Sequence, residues 1–249
     1  MSIIEVSQRG GVSVVLLNRP DRLNAFDADM TTALMAAVSE ADNDPDTQAI
    51  VITGAGRAFS AGGDIRSFGK NVDTRVNRRG WHLANLMLRV EKPTIAMVNG
   101  AAVGLGLTVA LLCDVVVAAE DAKLGDTHVD LGLVAGDGAV VTLPLLIGPQ
   151  LTKELLLTGR LVTGREAAEM GMVWSAYPAD ELEAAAFDLA ISLGAQPTYA
   201  VRATKSVINK YVRWMSDQLL DVALAYEEIS KHKPEHHDAV ARWREGRAR

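Results

Sequence analysis

The sequence predicts an α/β fold, and three observations carry that prediction. Ala49-Ile50-Val51-Ile52 is a short apolar run closed by Thr53-Gly54-Ala55-Gly56, and Arg57-Ala58-Phe59-Ser60-Ala61-Gly62-Gly63-Asp64-Ile65 follows it. Pro93-Thr94-Ile95-Ala96-Met97-Val98-Asn99-Gly100 repeats that order, leading through Gly104 and Gly106 into the apolar Thr108-Val109-Ala110-Leu111-Leu112-Cys113. Both read as a buried strand, a glycine turn and the start of a new element. After Pro178 the composition shifts to amphipathic helical periodicity. The expected organisation is a core over 1–178 and a helical region over 179–249.

From the N-terminus, Ile3 to Val6 and Val12 to Leu17 are β-rich runs joined by Arg9-Gly10-Gly11, which predicts a hairpin. Asn18-Arg19-Pro20-Asp21 ends the second strand. Arg22-Leu23-Asn24-Ala25-Phe26 is a loop, and Asp27 has the chemistry of an N-cap for a helix reaching about Asp42. Asn43-Asp44-Pro45-Asp46 is a turn before the strand at 49–52. The polar stretch from Phe68 to Arg79 is expected to be a mobile cover. The helix after it, to about Val90, carries Trp81, Leu83, Leu86, Met87 and Val90 at core-facing spacing.

Asp114 to Ala119 reads as a third strand and Lys123-Leu124-Gly125 as a short extended piece. A helix is expected from Ala139 to Ile147, kinked by Pro144 or starting after it. Leu151–Leu157 and Gly164–Met170 read as helices, with Gly171 as a C-cap and Met172-Val173-Trp174 as a short strand. The C-terminal region is expected to hold helices over 180–194, 197–210 and 214–230, then a solvated arginine-rich end from Arg242.

The chemistry is concentrated in the glycine turns. Gly62 and Gly63 allow a sharp turn and close approach of another molecule. If a helix starts near Asp64, the amides before it point outward with the positive end of its dipole behind them. Such amides bind an anion, or an oxygen that becomes anionic during a reaction. The plainer alternative is a turn that holds nothing. The second turn favours the first reading, because two such turns can aim two amides at one carbonyl oxygen.

Composition narrows the classes. The net charge of −6 argues against nucleic acid as the main partner. A single cysteine, Cys113, excludes an internal disulfide and suits a reducing compartment. The N-terminus lacks the basic and apolar regions of a signal peptide, so a cytoplasmic protein is expected. The apolar stretch from Thr94 to Ala119 is interrupted by Asn99, Gly100, Gly104, Gly106 and Asp114, so no membrane span is expected there.

These residues resemble the crotonase superfamily, whose members include enoyl-CoA hydratases and isomerases. The resemblance covers essentially the whole chain. It rests on Arg22-Leu23-Asn24-Ala25, Phe59-Ser60-Ala61-Gly62-Gly63-Asp64, Asn99-Gly100 through Cys113-Asp114, and Leu157-Thr158-Gly159 with Ala167-Ala168-Glu169-Met170-Gly171-Met172-Val173. It implies a spiral of ββα units followed by a helical region that assembles as a homotrimer or a dimer of trimers. It implies an acyl-CoA substrate, with coenzyme A as part of that substrate and no permanently bound cofactor or metal. The oxyanion donors map onto the amides of Gly63 and Leu105. Substrate or coenzyme A contacts map onto Arg22, Leu23, Ala25, Ala61, Gly62, Asp64 and Ile65, with Arg22 placed to pair with a phosphate.

The resemblance also exposes a departure. Hydratases carry two glutamates where this sequence has Thr108 and His128, and some isomerases carry a carboxylate where it has Gly136. What remains is His128 with Asp137, which resembles the His-Asp dyad of family members that cleave β-diketones. Asp137 could instead be a helix N-cap, and His128 a satisfied loop imidazole. Three readings follow: an enolate-stabilising acyl-CoA enzyme whose polar catalyst is His128 assisted by Asp137, a retro-Claisen hydrolase of a β-diketone or β-ketoacyl substrate in which the His128 imidazole activates water, and an inactive acyl-CoA-binding homologue.

Overall fold

The computed structural model of the chain describes residues 2–67 and 75–246, with side chains described outside 67–79. The segment expected to cover the site, Phe68 to Arg79, therefore falls outside the described residues, apart from backbone at its end.

The chain opens with a hairpin of β1 (Ile4–Arg9) and β2 (Val12–Leu17), paired antiparallel from Ile4↔Leu17 to Arg9↔Val12. Gly10 and Gly11 take φ of 57 and 78°, the left-handed conformation that a two-residue hairpin turn needs. Helix α1 (Ala28–Asn43) starts where Asp27 accepts a hydrogen bond from the Met30 amide. It packs Met30, Leu34 and Val38 into the core.

The middle of the chain repeats one unit. β3 (Ala49–Gly54), β4 (Ala58–Ser60) and α2 (Arg75–Met87) form the first turn of a spiral. β5 (Thr94–Val98), β6 (Ala101–Val103) and α3 (Leu105–Leu111) form the second. β7 (Val115–Ala119), β8 (Lys123–Gly125) and α4 (Ala139–Thr158) form the third. β9 (Val162–Thr163), α5 (Gly164–Glu169) and β10 (Ser175–Tyr177) close the core. In each unit the first strand joins a six-stranded sheet, ordered β1-β2-β3-β5-β7-β10. The second joins a four-stranded sheet, ordered β4-β6-β8-β9. The large sheet is parallel from β2 onward, and every residue of β3 is buried, as expected for strands covered on both faces.

α6 (Leu182–Gly194) packs Leu182, Ala186, Phe187 and Ala190 into the same core, against β3, β5 and β7. α7 (Thr198–Lys231) and α8 (Pro234–Arg244) follow. α7 is anchored from inside: Lys205 pairs with Asp114 at 2.6 Å and donates to the Lys92 carbonyl at 2.6 Å, and Asn209 donates to the Leu88 carbonyl at 3.2 Å. The α/β architecture with a helical C-terminal region thus matches the expectation.

Four details correct it. Helices expected over 197–210 and 214–230 are one 34-residue helix, α7, because neither glycine nor proline occurs between Pro197 and Pro234. The chain end is helical as far as Arg244 rather than a solvated tail from Arg242. α4 breaks at Gly148 (φ 75°, ψ 161°), between the two helices expected, while the backbone stays helical through Pro144, where a kink or a later start was expected. Pro149 pushes its predecessor out of the helical region and glycine accepts the result. α4 is also the one described helix long and apolar enough to cross a membrane. With this break, neither half reaches the roughly 20 residues a span needs. The strand expected at Met172-Val173-Trp174 lies at Ser175–Tyr177; Met172 and Val173 are instead tied to the Ala167 carbonyl at the end of α5.

Candidate active site

The loop between β2 and α1 is built on two left-handed residues, Leu23 (φ 51°) and Asn24 (φ 55°). Asn24 holds this unfavourable backbone in place. Its fully buried amide donates to the carbonyls of Ala55 and Ala58 and its Oδ1 accepts from the Arg19 amide. Ser60 Oγ donates to the Asn24 carbonyl, and the Ala61 amide to that of Leu23. Arg19 then clamps the loop, donating to the Ala25 carbonyl at 2.8 Å and pairing with Asp27 at 2.7 Å and Asp64 at 3.4 Å. The coenzyme-contact candidates Leu23, Ala25, Ala61, Gly62 and Asp64 are brought together in this way. Arg22 is exposed at the end of a 3-10 turn, Pro20–Arg22. Ile65 begins a 3-10 turn of three residues, Ile65–Ser67. Among the described residues a 3-10 turn, not an α-helix, follows Asp64.

Gly63 pairs with Phe26 as an isolated parallel bridge. Phe26 makes both flanking bonds, accepting from the Asp64 amide and donating to the Gly62 carbonyl. The Gly63 amide therefore points away from Phe26. Leu105 is the first residue of α3, where an amide has no intrahelical acceptor. Among the described residues, neither amide has a hydrogen-bond partner. The two turns touch: a Cβ at Gly62 (φ 93°) would lie 2.7 Å from the Val103 carbonyl oxygen and 3.6 Å from the Leu105 nitrogen. Only glycine permits this approach. Asn99 bridges Gly54 and Gly56 in the turn between β3 and β4.

His128 stands behind the second turn. A Cβ at Gly104 would be 3.5 Å from its Cε1, so the ring lies one residue from the Leu105 amide. Asp137 lies 3.7 Å from Nε2, as the sequence pairing anticipates. The nearer carboxylate was not anticipated: Asp126 Oδ1 sits 2.6 Å from Nδ1 and also accepts from the His128 amide at 3.0 Å. Asp137 Oδ1 accepts from Thr108 Oγ1 at 2.9 Å, while its buried Oδ2 makes no hydrogen bond. Asp137 thus does more than cap α4; the helix N-cap is Gly138.

Electrostatics follow from this geometry. Burial alone would push the His128 imidazole down, but Asp137, Asp126 and Glu227 outweigh it and carry it up to about 10. Burial pushes the Asp137 carboxyl up, the His128 cation pulls it back, Asp126 and Glu227 push it further, and the Thr108 hydroxyl lowers it, leaving it at about 6. Between these values the site holds an imidazolium flanked by two carboxylates. Donor atoms of Asp126, His128 and Asp137 lie within 4.8 Å of one another, as metal ligands could. The 2.6 Å Nδ1–Oδ1 separation is that of groups sharing a proton, whereas two ligands of a tetrahedral zinc stand about 3.4 Å apart.

Comparison with known proteins identifies the family. Residues 7–248 match the enoyl-CoA hydratase/isomerase family. The chain is 35% identical over 209 residues to a probable enoyl-CoA hydratase of Mycobacterium tuberculosis, covering 84% of this chain and 80% of that one. It is 32% identical over 240 residues to a 1,2-epoxyphenylacetyl-CoA isomerase of Escherichia coli, covering 93% and 91%. A crystal structure of an enoyl-CoA hydratase/isomerase from Mycobacterium paratuberculosis superimposes with a TM-score of 0.90 at 37% identity, over 96% of this chain and 97% of that one. The chain belongs to the enoyl-CoA hydratase/isomerase family.

Proposed function

We propose that the protein binds a coenzyme A thioester with its carbonyl oxygen between the amides of Gly63 and Leu105, and that Asp137 moves a proton at a carbon next to that carbonyl. Coenzyme A enters only as part of the substrate. The observation that carries this reading is the pair of unpartnered amides beside a buried carboxylate whose Oδ2 is free of hydrogen bonds. In the step, Asp137 Oδ2 takes the proton, and the C–H electron pair moves to the thioester oxygen as an enolate. Returning the proton to a different carbon completes an isomerisation. The two amides stabilise the enolate oxygen, for which one such donor is worth roughly 2.7–4 kcal/mol. His128, held cationic by Asp126, keeps Asp137 ionised before the transfer and remains cationic beside the enolate as it forms.

Thr108 and His128 occupy the places that the family resemblance gives to the two hydratase glutamates. Water addition through a glutamate pair is accordingly not the proposed chemistry. The retro-Claisen reading needs a neutral His128 to activate water. Carboxylates at 2.6 and 3.7 Å disfavour that form at neutral pH. The reading as an inactive acyl-CoA binder keeps the amides and gives the carboxylate no role. The test is deuterium incorporation next to the carbonyl when crotonyl-CoA or acetoacetyl-CoA is incubated with the protein in D2O. Exchange by the wild type, lost in Asp137→Asn, is expected. Binding without exchange would leave the inactive reading, and water-dependent carbon–carbon cleavage the hydrolytic one.

The assembly is proposed as a trimer or a dimer of trimers. α7 exposes Tyr199, Val207, Tyr211, Trp214 and Tyr226, each more than half accessible. That is an apolar face a single chain leaves uncovered. Light scattering at micromolar concentration giving a monomer mass would refute this.

A further inference from the structure

The loop that carries Asp137 is bound to the C-terminal helices at three places. The His236 ring nitrogen Nδ1 is 2.7 Å from the Leu131 carbonyl oxygen. Ser230 Oγ accepts from the Val134 amide at 3.2 Å while donating to the Glu227 carbonyl at 2.6 Å. The third place is Gly136, the residue before Asp137. A Cβ there would lie 2.6 Å from both Cβ and Oε2 of Glu227 and 2.7 Å from the Ala223 carbonyl oxygen. Helix α7 is therefore seated directly on the loop backbone, and the Glu227 carboxylate occupies the space a side chain at 136 would take. That carboxylate is only 12% exposed, and its Oε1 pairs with Lys231 at 3.1 Å.

We infer that Glu227 is a positioning residue of the active site: its carboxylate, set in the space Gly136 leaves, seats the Asp137 loop on α7 and places a negative charge beside the His128–Asp137 pair. This rests on the proposed role of Asp137. The groups facing the pair come from several elements. Asp126 follows β8, Asp137 precedes α4, and Glu227 and Lys231 lie on α7, with Glu228 and His232 beyond them. Glu227 is the acidic contribution of α7 to this set, and its charge favours the imidazolium and disfavours ionised Asp137. Both effects have one sign: each raises the pH at which its partner titrates.

The test is Glu227→Gln, which keeps the shape and removes the charge. Two readouts are followed: the pH profile of deuterium exchange, and the His128 imidazole titration by NMR, which needs no turnover. Both limbs of the profile and the imidazole titration are expected to move to lower pH, by less than in Asp126→Asn, since Asp126 is the stronger influence on both groups. Glu227→Asp should restore part of the shift. If Glu227→Gln does not fold, Lys231→Met carries the test, moving the acid limb to higher pH instead. An imidazole titration in Glu227→Gln that overlays the wild type overturns the inference, whatever the rate. A shifted titration, with exchange retained in Asp137→Asn, supports Glu227 and removes Asp137 as the base.

Discussion

Asp126→Asn tests the charge logic of the site at its shortest contact. Asp126 Oδ1 stands 2.6 Å from His128 Nδ1, a charge-assisted pair with both side chains largely buried. Removing an opposite charge at this range lowers an imidazolium by about 1–3 pH units. At 1.36 kcal/mol per unit, that is about 1.4–4 kcal/mol of lost imidazolium stabilisation. The alkaline limb of kcat/KM, set in the wild type by His128 at about 10, should fall to roughly 7–9. The acid limb, set by Asp137 at about 6, should move slightly down as well, because Asp126 is a like charge for it. Stability gives an independent readout. The folded value of His128 lies above its ordinary 6.5, so its contribution is complete below about 6.5 and is lost as pH rises through about 10. In Asp126→Asn that loss should be smaller and should end at lower pH, because the folded value falls while the unfolded value stays at about 6.5. The assay is kcat/KM for the exchange reaction across pH 5–11, paired with melting temperature over the same range. An unmoved alkaline limb with an unmoved melting profile would refute the reasoning.

Three further changes probe separate parts of the molecule. Gly62→Ala places a Cβ 2.7 Å from the Val103 carbonyl oxygen on a backbone at φ 93°, so the Gly63 amide must shift; kcat/KM should drop roughly 10²–10³-fold, and a wild-type rate would remove that amide from the mechanism. Thr108→Val deletes the 2.9 Å hydrogen bond that favours ionised Asp137; the acid limb should rise by about one pH unit, and an acid limb that stays put refutes the link. Thr163→Ala removes the capping box of α5, in which Thr163 and Glu166 each accept from the other's backbone amide. It should cost about 1 kcal/mol, seen as a melting temperature lower by about 2–4 °C, with kcat/KM unchanged; lost activity would mean α5 does more than support the sheet.

Much of the fold was legible because local chemistry and burial agreed. Asp27 could be read as a cap, the apolar runs at Ala49 and Thr94 as buried strands, and the glycines between them as turns. The reading failed where burial and pairing part company. Met172 and Val173 are buried beneath the turn that ends α5, yet the paired strand begins at Ser175. β6 is three residues within an Ala-Gly run and carries no periodicity of its own. At the site, the spacing of the glycine turns pointed to a pair of amides, a backbone signal, and the family resemblance assigned them to Gly63 and Leu105. Asp137 drew notice because two glycines flank it. Asp126 did not, because a carboxylate two residues before a histidine has no distinctive spacing; the short turn at Thr127 folds the ring back upon it. Glu227 lies far along the chain, and only the packing of α7 on Gly136 brings it near.

The two unpartnered amides belong to main chain that leaves neighbouring parallel strands, β4 and β6. Their separation is set by strand spacing and by glycines that let the turns meet, and no side chain takes part in it. Any residue but proline can supply the amide at 105, which is why leucine there costs the arrangement nothing. The side chains of Asp126, His128 and Asp137 sit on different segments, beyond the second turn. On the proposed function, a lineage could therefore exchange the groups at 108, 128 and 137 while the paired amides stay as they are. The scaffold keeps recognition and reactivity in separate parts of the chain, so one can drift without dismantling the other.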